Sequence, residues 1–144
     1  MVTNEPACTV CTYRVLKNHG LRGEELWQVC RSTTVGYLTY AAPAWWGYSD
    51  VSSRQRLQAA INKLKKFNFL PPEFASHEQL CEQMCGVLFK QILANRNHVL
   101  HQLLPPERAI HYSMRPRAHN RQIIKADAKF KRNFIINMLY KNSY

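Results

Sequence analysis

Apolar residues recur at three- and four-residue intervals along most of the chain and predict a helical protein. This spacing is found in five segments, over about 8–18, 24–42, 50–66, 76–94 and 127–140. The period places apolar side chains on one face of an α-helix, whereas the strict alternation typical of strands is weak throughout. The predicted fold class is therefore all-α, a small helical bundle followed by a helical and partly irregular basic extension.

The same spacing assigns an inward stripe to each longer segment. The stripe of the segment over 24–42 consists of Leu26, Cys30, Thr33, Tyr37 and Ala41. That of 50–66 consists of Leu57, Ala60, Ile61 and Leu64, and that of 76–94 of Leu80, Met84, Val87, Leu88 and Ile92. The stripe of the last segment consists of Phe130, Phe134, Met138 and Leu139.

Capping and breaking residues predict where these helices begin and end. Ser49 and Asp50 are both candidate N-caps for the third helix, and Ser76 followed by Gln79 is a capping box that would open the fourth. Pro43 is expected to end the second helix, because the residue before a proline disfavours helical backbone. Residues 107–126 have no clear period and are expected to be irregular.

Charge is distributed unevenly along the chain. Twenty Lys and Arg stand against nine Asp and Glu, which gives a net charge of +11. Residues 1–50 carry four basic and four acidic groups, whereas residues 101–144 carry nine and two, a net +7. Such a gradient indicates an acidic partner, most commonly nucleic acid and next an anionic membrane. The alternative is a basic surface that only keeps the protein soluble.

Nothing in the sequence indicates a membrane or an exported protein. No apolar run reaches the roughly 18 residues that a membrane span needs, and residues 1–6 lack the pattern of a secretory signal. We expect an intracellular chain, nuclear or cytoplasmic, with no membrane contact. Its five cysteines are then expected to be reduced.

Carboxylates are too few and too dispersed for metal-dependent phosphoryl transfer. The two aspartates are Asp50 and Asp127, and the seven Glu are scattered. Two-metal catalysis needs several carboxylates that converge on ions about 4 Å apart. A Gly-rich phosphate loop and a Gly-x-Ser-x-Gly elbow are also missing. We therefore expect no enzymatic activity from the chain on its own, no catalytic residue and no cofactor.

One cysteine–histidine pattern comes close to a zinc finger. Cys81 and Cys85 precede His98 and His101. The histidines are one residue too close for the usual spacing, and both cysteines fall in a predicted helix where a finger needs a hairpin turn. The pair Cys8-x2-Cys11 has no matching second pair. Buried thiols are the favoured interpretation of both pairs, and no metal site is expected.

Basic residues supply the candidate binding groups. Those predicted to contact phosphate are Arg54, Arg56, Lys63, Lys65 and Lys66 on the third helix, and Arg115, Arg117 and Arg121 in the stretch 111–121. Trp45, Trp46 and Tyr48 could stack on bases, but at least one of these tryptophans is expected to anchor the core beside Pro43. A solvated loop is the alternative for the stretch 111–121.

Five segments, in this order and spacing, give the chain a family resemblance. They are VLKNHGLR (15–22), YAAPAWWG (40–47), HVLHQLLPPER (98–108), YSMRPRAHN (112–120) and NFIINMLY (133–140). Together they resemble the C-terminal end of jockey-like reverse transcriptases of non-LTR retrotransposons, which are RNA-directed DNA polymerases of transposable elements. The resemblance covers nearly the whole chain.

The resemblance implies a division of the chain and a function. Residues 1–69 would be the thumb-like helical bundle, which in the family grips the primer–template duplex, and residues 70–144 the C-terminal helical extension. The palm, which carries the catalytic aspartates, would precede Met1, so the chain is expected to be a fragment. It would retain sequence-independent binding to the nucleic-acid backbone. The alternative is an interaction module or non-functional remnant whose apolar surface packed on the missing palm and fingers.

Overall fold

The computed structural model describes residues 5–108, 119–125 and 127–143, with the backbone alone for residues 5–9. Its helices are α1 (Glu5–Asn18), α2 (Glu24–Cys30), a π-helical turn (Arg31–Val35), α3 (Gly36–Thr39), α4 (Ala42–Trp45), α5 (Val51–Lys66), α6 (His77–Ala94) and α7 (Phe134–Lys141), with 3-10 turns at Trp46–Tyr48, Val99–Leu103 and Phe130–Arg132. No strand forms within these residues, and the predicted all-α class is confirmed. None of the helices described is both long and apolar enough to cross a membrane.

The predicted caps of the third and fourth helical segments are confirmed. Asp50 caps α5, where its carboxylate accepts the backbone N–H of Ser53 at 3.3 Å. A hydrogen bond with the Ser53 side chain, and to a smaller extent those with backbone N–H groups of the first turn, lower the pKa of Asp50. Ahead of α6, the Ser76 hydroxyl accepts the N–H of Gln79 at 3.2 Å, and the Gln79 side chain accepts the N–H of Ser76 at 2.8 Å. Each cap satisfies amides that the first turn of a helix leaves unbonded.

The chain divides into two units, each with its own apolar core. The first unit comprises Met1–Tyr40 and Asp50–Leu80, and the second comprises Ala41–Ser49 and Cys81–Tyr144. This division differs from the one implied at residues 69 and 70. Phe74 lies in the core of the first unit, and Trp46 brings its segment into the core of the second.

The π-helical turn sets the packing of the first unit. The N–H of Gly36 bonds to the carbonyl of Arg31, five residues earlier. Tyr13, which is 2 % exposed, places its hydroxyl 2.5 Å from the hydroxyls of both Thr33 and Thr34. Its ring lies 5.3 Å from that of Phe69, centroid to centroid. One tyrosine of α1 thus joins the π-helical turn to the segment that follows α5.

The predicted stripe of the second helical segment is wrong after Cys30. Leu26 and Cys30 are buried, but Thr33, Tyr37 and Ala41 are exposed. Val35 and Thr39 take their places in the interior. The π-helical turn inserts one extra residue, so the buried positions run 26, 30, 35 and 39 rather than at a constant α-helical interval.

The stripe of α6 is displaced by one residue at most of its positions, and Ile92 is buried as predicted. Met84 and Val87 are 39 % and 50 % exposed, and Leu80 and Leu88 are only partly buried. The buried residues of the second unit on this helix are Cys81, Cys85, Phe89 and Ile92. Helix α6 is apolar around much of its circumference, so the predicted stripe and the buried stripe both have a helical period. The period alone therefore could not show which of the two is buried. On α5, Ile61 and Leu64 are buried as predicted, whereas Leu57 and Ala60 are only partly buried.

The last helix begins later than predicted. Asn133 leaves the helical region with a ψ of 136° and caps α7, accepting the N–H of Ile135 at 3.1 Å. Phe130 therefore lies in a separate turn and is 55 % exposed, contrary to its assignment to the apolar stripe. Met138 and Leu139 are buried as expected.

A close backbone approach in the second unit predicts a glycine requirement. A Cβ at Gly47 would overlap the backbone carbonyl of Arg132. We expect Gly47→Ala to lower the unfolding free energy by about 1–3 kcal/mol, since a backbone neighbour cannot move aside like a side-chain end. Gly86, inside α6, has nothing within 4 Å of its Cβ position, so Gly86→Ala should stabilise by up to about 1 kcal/mol. Urea unfolding of both variants measures the contrast, and equal shifts would contradict it.

Burial of Cys30 predicts a loss of stability at high pH. Removal from water raises the pKa of its thiol to about 11, against a smaller opposing effect of the hydrogen bond with Tyr13. In the unfolded chain the pKa of the thiol is near its ordinary value of 9.0. The pKa difference therefore contributes about 2–3 kcal/mol to the unfolding free energy. This contribution is complete below pH 9 and is lost as pH rises through 11. Urea unfolding at successive pH values should show a steeper fall for the natural chain than for Cys30→Ala. Parallel profiles would contradict the assignment.

Candidate nucleic-acid interface

Helix α5 carries a cluster of cations without any acid among them. Its sixteen residues include five Lys and Arg and no Asp or Glu. Ile61 and Leu64 hold one side of the helix in the core of the first unit, which leaves the opposite side to solvent. The sequence folds this way locally because Asp50 caps the first turn and Asn68, with a φ of 56°, follows the last.

Three of the five cations form an exposed row. Arg56, Lys63 and Lys66 are exposed, and the 3.6-residue turn places them within an arc of about 80° that contains neither Ile61 nor Leu64. They span about 15 Å of helix at 1.5 Å per residue. Among the described residues, no carboxylate lies within 4.0 Å of any of the three. The row therefore presents charge that is available to an anion.

The other two cations of α5 are engaged within the first unit. Arg54 lies 3.9 Å from the carboxylate of Glu78. Lys65 donates to the backbone carbonyl of Phe74 at 2.5 Å and is only partly exposed. Their side chains are directed away from the exposed row, so the five predicted residues do not form one surface.

The C-terminal lysines of α5 also have a structural role. Lys63, Lys65 and Lys66 lie in the last turn, where the partial negative charge of the helix terminus favours cations. This interaction is worth only about 0.3–1 kcal/mol at an exposed site. It is compatible with phosphate contact, because an exposed ammonium retains donors that the helix does not use.

Arg121 is held inside the second unit. Its side chain is 15 % exposed, and its guanidinium lies 3.3 Å from the carboxylate of Glu107. It also donates to the carbonyl of Pro105 and approaches Nε2 of His101, both at 3.3 Å. With these partners it ties together two chain segments, which the isolated bridge between Glu107 and Arg121 also joins.

The neighbouring His119 fixes the same region. Its Nδ1 accepts the N–H of Arg121 at 3.1 Å, which leaves the proton on Nε2 to be donated to the carbonyl of Leu139 at 3.0 Å. The ring is 8 % exposed and lies edge-on to Phe89, with centroids 6.0 Å apart. The histidine is thus a buried connector between this segment and α7.

The predicted phosphate contacts Arg115 and Arg117 lie outside the described residues.

The aromatic turn after α3 divides between core and surface. Trp46 is 7 % exposed and lies in the core of the second unit, which confirms the prediction that one tryptophan anchors it. Trp45 is partly buried against it at 6.1 Å between ring centroids. Tyr48 is 54 % exposed.

The cysteines of the zinc-like pattern are buried in the fold, and its histidines contact neighbouring protein groups. Cys81 and Cys85 are buried on α6, and burial raises the pKa of Cys85. His98 accepts the N–H of Leu100 at 3.1 Å, and His101 faces Arg121. In the part of the chain that the structure describes, no three His, Cys, Asp or Glu side chains are grouped so as to hold a metal ion.

The structure also brings together residues that the sequence pattern did not single out. Glu24, Trp27 and Arg31 follow one another at intervals of three and four, away from the buried Leu26 and Cys30. They border a cleft in the first unit. The signal that could have found them is this second period on the polar side of the helix, with a tryptophan in its centre.

The contacts of Arg121 predict a structural effect rather than a loss of binding. Arg121→Gln removes three polar contacts, and we expect a fall of about 1–3 kcal/mol in the unfolding free energy. Arg96→Gln removes the same charge from an exposed residue of the second unit and should change stability by less than about 0.5 kcal/mol. Chemical unfolding of both variants tests this. Unchanged stability of Arg121→Gln together with weaker nucleic-acid binding would restore Arg121 as a phosphate contact.

No family model matches the chain, and no curated protein or solved structure is significantly similar to it.

Proposed function

We propose that the chain binds nucleic acid through phosphate contacts, independently of sequence, and catalyses no reaction on its own. The observation that carries the proposal is the exposed row of Arg56, Lys63 and Lys66, which has no carboxylate partner within the described residues. Phosphate oxygens accept hydrogen bonds from guanidinium and ammonium groups. When these groups neutralise the phosphates, counterions leave the nucleic acid, and this release drives association. A Kd on the order of 10⁻⁴–10⁻⁶ M at physiological salt is expected for such binding.

The family resemblance gives this binding a context. According to the resemblance, the chain is the C-terminal part of a retrotransposon RNA-directed DNA polymerase, and α5 belongs to the thumb that grips a primer–template duplex. The catalytic aspartates belong to a palm outside this sequence. The partners are then the backbone of an RNA or DNA duplex and the palm and fingers of the parent polyprotein, inside the cell.

A second candidate function is supported by exposed apolar side chains. In the first unit Tyr37 and Tyr40 are 68 % and 78 % exposed, and in the second Val99 and Leu103 are 80 % and 65 % exposed. Where such side chains are contiguous, an exposed apolar patch is typical of protein contacts. Under this alternative the chain packs on the missing domains, and the isolated protein self-associates as its concentration rises, which light scattering would measure.

The row on α5 predicts a position-specific loss of salt dependence. In Arg56→Gln/Lys63→Gln/Lys66→Gln, removal of three phosphate contacts should reduce the slope of log K against log salt by about 2–3. Fluorescence anisotropy with a labelled duplex at several salt concentrations measures the slope.

A matched triple variant separates position from net charge. Lys90→Gln/Arg96→Gln/Lys125→Gln removes three exposed cations of the second unit, and its slope should change by less than about 1. Equal losses in the two triple variants would reduce the proposal to non-specific attraction by net charge. The absence of duplex binding by the natural chain at low salt would reject it.

A further inference from the structure

A cleft of about 180 Å³ lies in the first unit, beside the polar side of α2. One wall consists of Glu24, Trp27 and Gln28 with Arg31, the first residue of the π-helical turn. The other wall is formed by Leu70, Pro71 and Phe74. The side chains of Leu70 and Phe74 in this second wall are buried and belong to the core of the unit, which holds them in place.

The ends of the cleft carry opposite charges. Glu24 and Arg31 are seven residues apart, about 10 Å along a helix. The Arg31 guanidinium lies over the ring of Phe74, 5.4 Å from its centroid, and both charged side chains are exposed. Among the described residues, neither has an ion-pair partner within 4.0 Å. The half-buried indole of Trp27 lies between them in sequence, with the amide of Gln28 beside it.

This sequence of groups complements a single nucleotide. A nucleotide has an anionic phosphate at one end, a ribose in the middle and at the other end a planar base with hydrogen-bonding groups on its outer edge. Guanidinium groups bind phosphate, and aromatic side chains stack on unpaired bases. An acidic side chain accepts from N–H groups on a base edge. Guanine offers two adjacent N–H donors on that edge, which a carboxylate can accept together.

We propose that the cleft binds one unpaired guanine nucleotide of a bound strand. Trp27 stacks on the base, Glu24 accepts from its N–H edge and Arg31 contacts its phosphate. The inference rests on the proposed nucleic-acid binding and adds to it a site for a flipped or single-stranded base, separate from the cation row on α5. Backbone contact with a duplex stays independent of sequence, and the cleft adds a preference for guanine only where a base is unpaired.

The test uses the full chain and four nucleoside monophosphates. In ¹⁵N-labelled protein the indole N–H signal of Trp27, assigned by its loss in Trp27→Phe, is followed while guanosine, adenosine, cytidine or uridine monophosphate is added into the millimolar range. We expect guanosine monophosphate to shift this signal most strongly. The indole signals of Trp45 and Trp46 should stay in place. Equal shifts with all four nucleotides, or with inorganic phosphate alone, would overturn the guanine assignment.

Matched variants identify the recognising groups. Glu24→Gln should weaken binding of guanosine monophosphate about tenfold, whereas Glu25→Gln, which removes the same charge from a neighbouring exposed residue outside the cleft, should leave it within twofold. Arg31→Gln should abolish the advantage of guanosine monophosphate over guanosine. Equal effects of Glu24→Gln and Glu25→Gln would mean that only general charge is involved and would refute the site.

The two proposals fail in different ways. If the cleft is wrong, the Trp27 signal does not respond to nucleotides while duplex binding and its salt slope persist. If backbone binding is wrong, the duplex does not bind at low salt. The α5 triple variant should retain the response of Trp27 to guanosine monophosphate, because none of its three residues borders the cleft. Loss of that response in a folded triple variant would contradict a separate site.

Discussion

The hydroxyl of Tyr13 is the polar constraint on which the first unit depends. Its ring is almost completely buried, and a buried hydroxyl without a partner would cost about 1–3 kcal/mol. The side chains of Thr33 and Thr34 both approach it at 2.5 Å, and both belong to the π-helical turn. The turn therefore supplies hydrogen-bond partners to the buried hydroxyl, in addition to the thiol of Cys30. The extra residue of the turn then directs Val35 and Thr39 into the core in line with Leu26 and Cys30.

This constraint also determines which surfaces remain for ligands. With Leu26 and Cys30 directed inward, Trp27 is left on the other side of α2, against the segment that contains Phe74. Phe69, which contacts the ring of Tyr13, fixes the chain that leaves α5. The candidate cleft shares Leu70 and Phe74 with this core, whereas the exposed row of cations lies outside it.

Charged residues divide into those that stabilise the fold and those left to solvent. Four described acids have local partners, since Asp50 caps α5 and Glu78, Glu82 and Glu107 pair with cations. Each pairing is worth little at the surface, yet it removes a carboxylate from competition with a bound anion. Among the described residues, Arg56, Lys63 and Lys66 stay exposed without a carboxylate partner, and this charge is the physical basis of the proposed binding.

Local patterns determined what depends on neighbouring residues. The helical class, the Asp50 cap and the box at Ser76 followed from short-range periodicity and capping chemistry, which act within a few residues. Tertiary structure decided the rest. The residues of the π-helical turn contact a hydroxyl twenty residues away, and the buried stripe of α6 is the one that packs in the core of the second unit. The same holds for Arg121, whose partners at residues 101–107 made a predicted ligand contact part of the fold. Each of these depends on groups distant in sequence, because a side chain's environment is fixed only when the segments that surround it have packed.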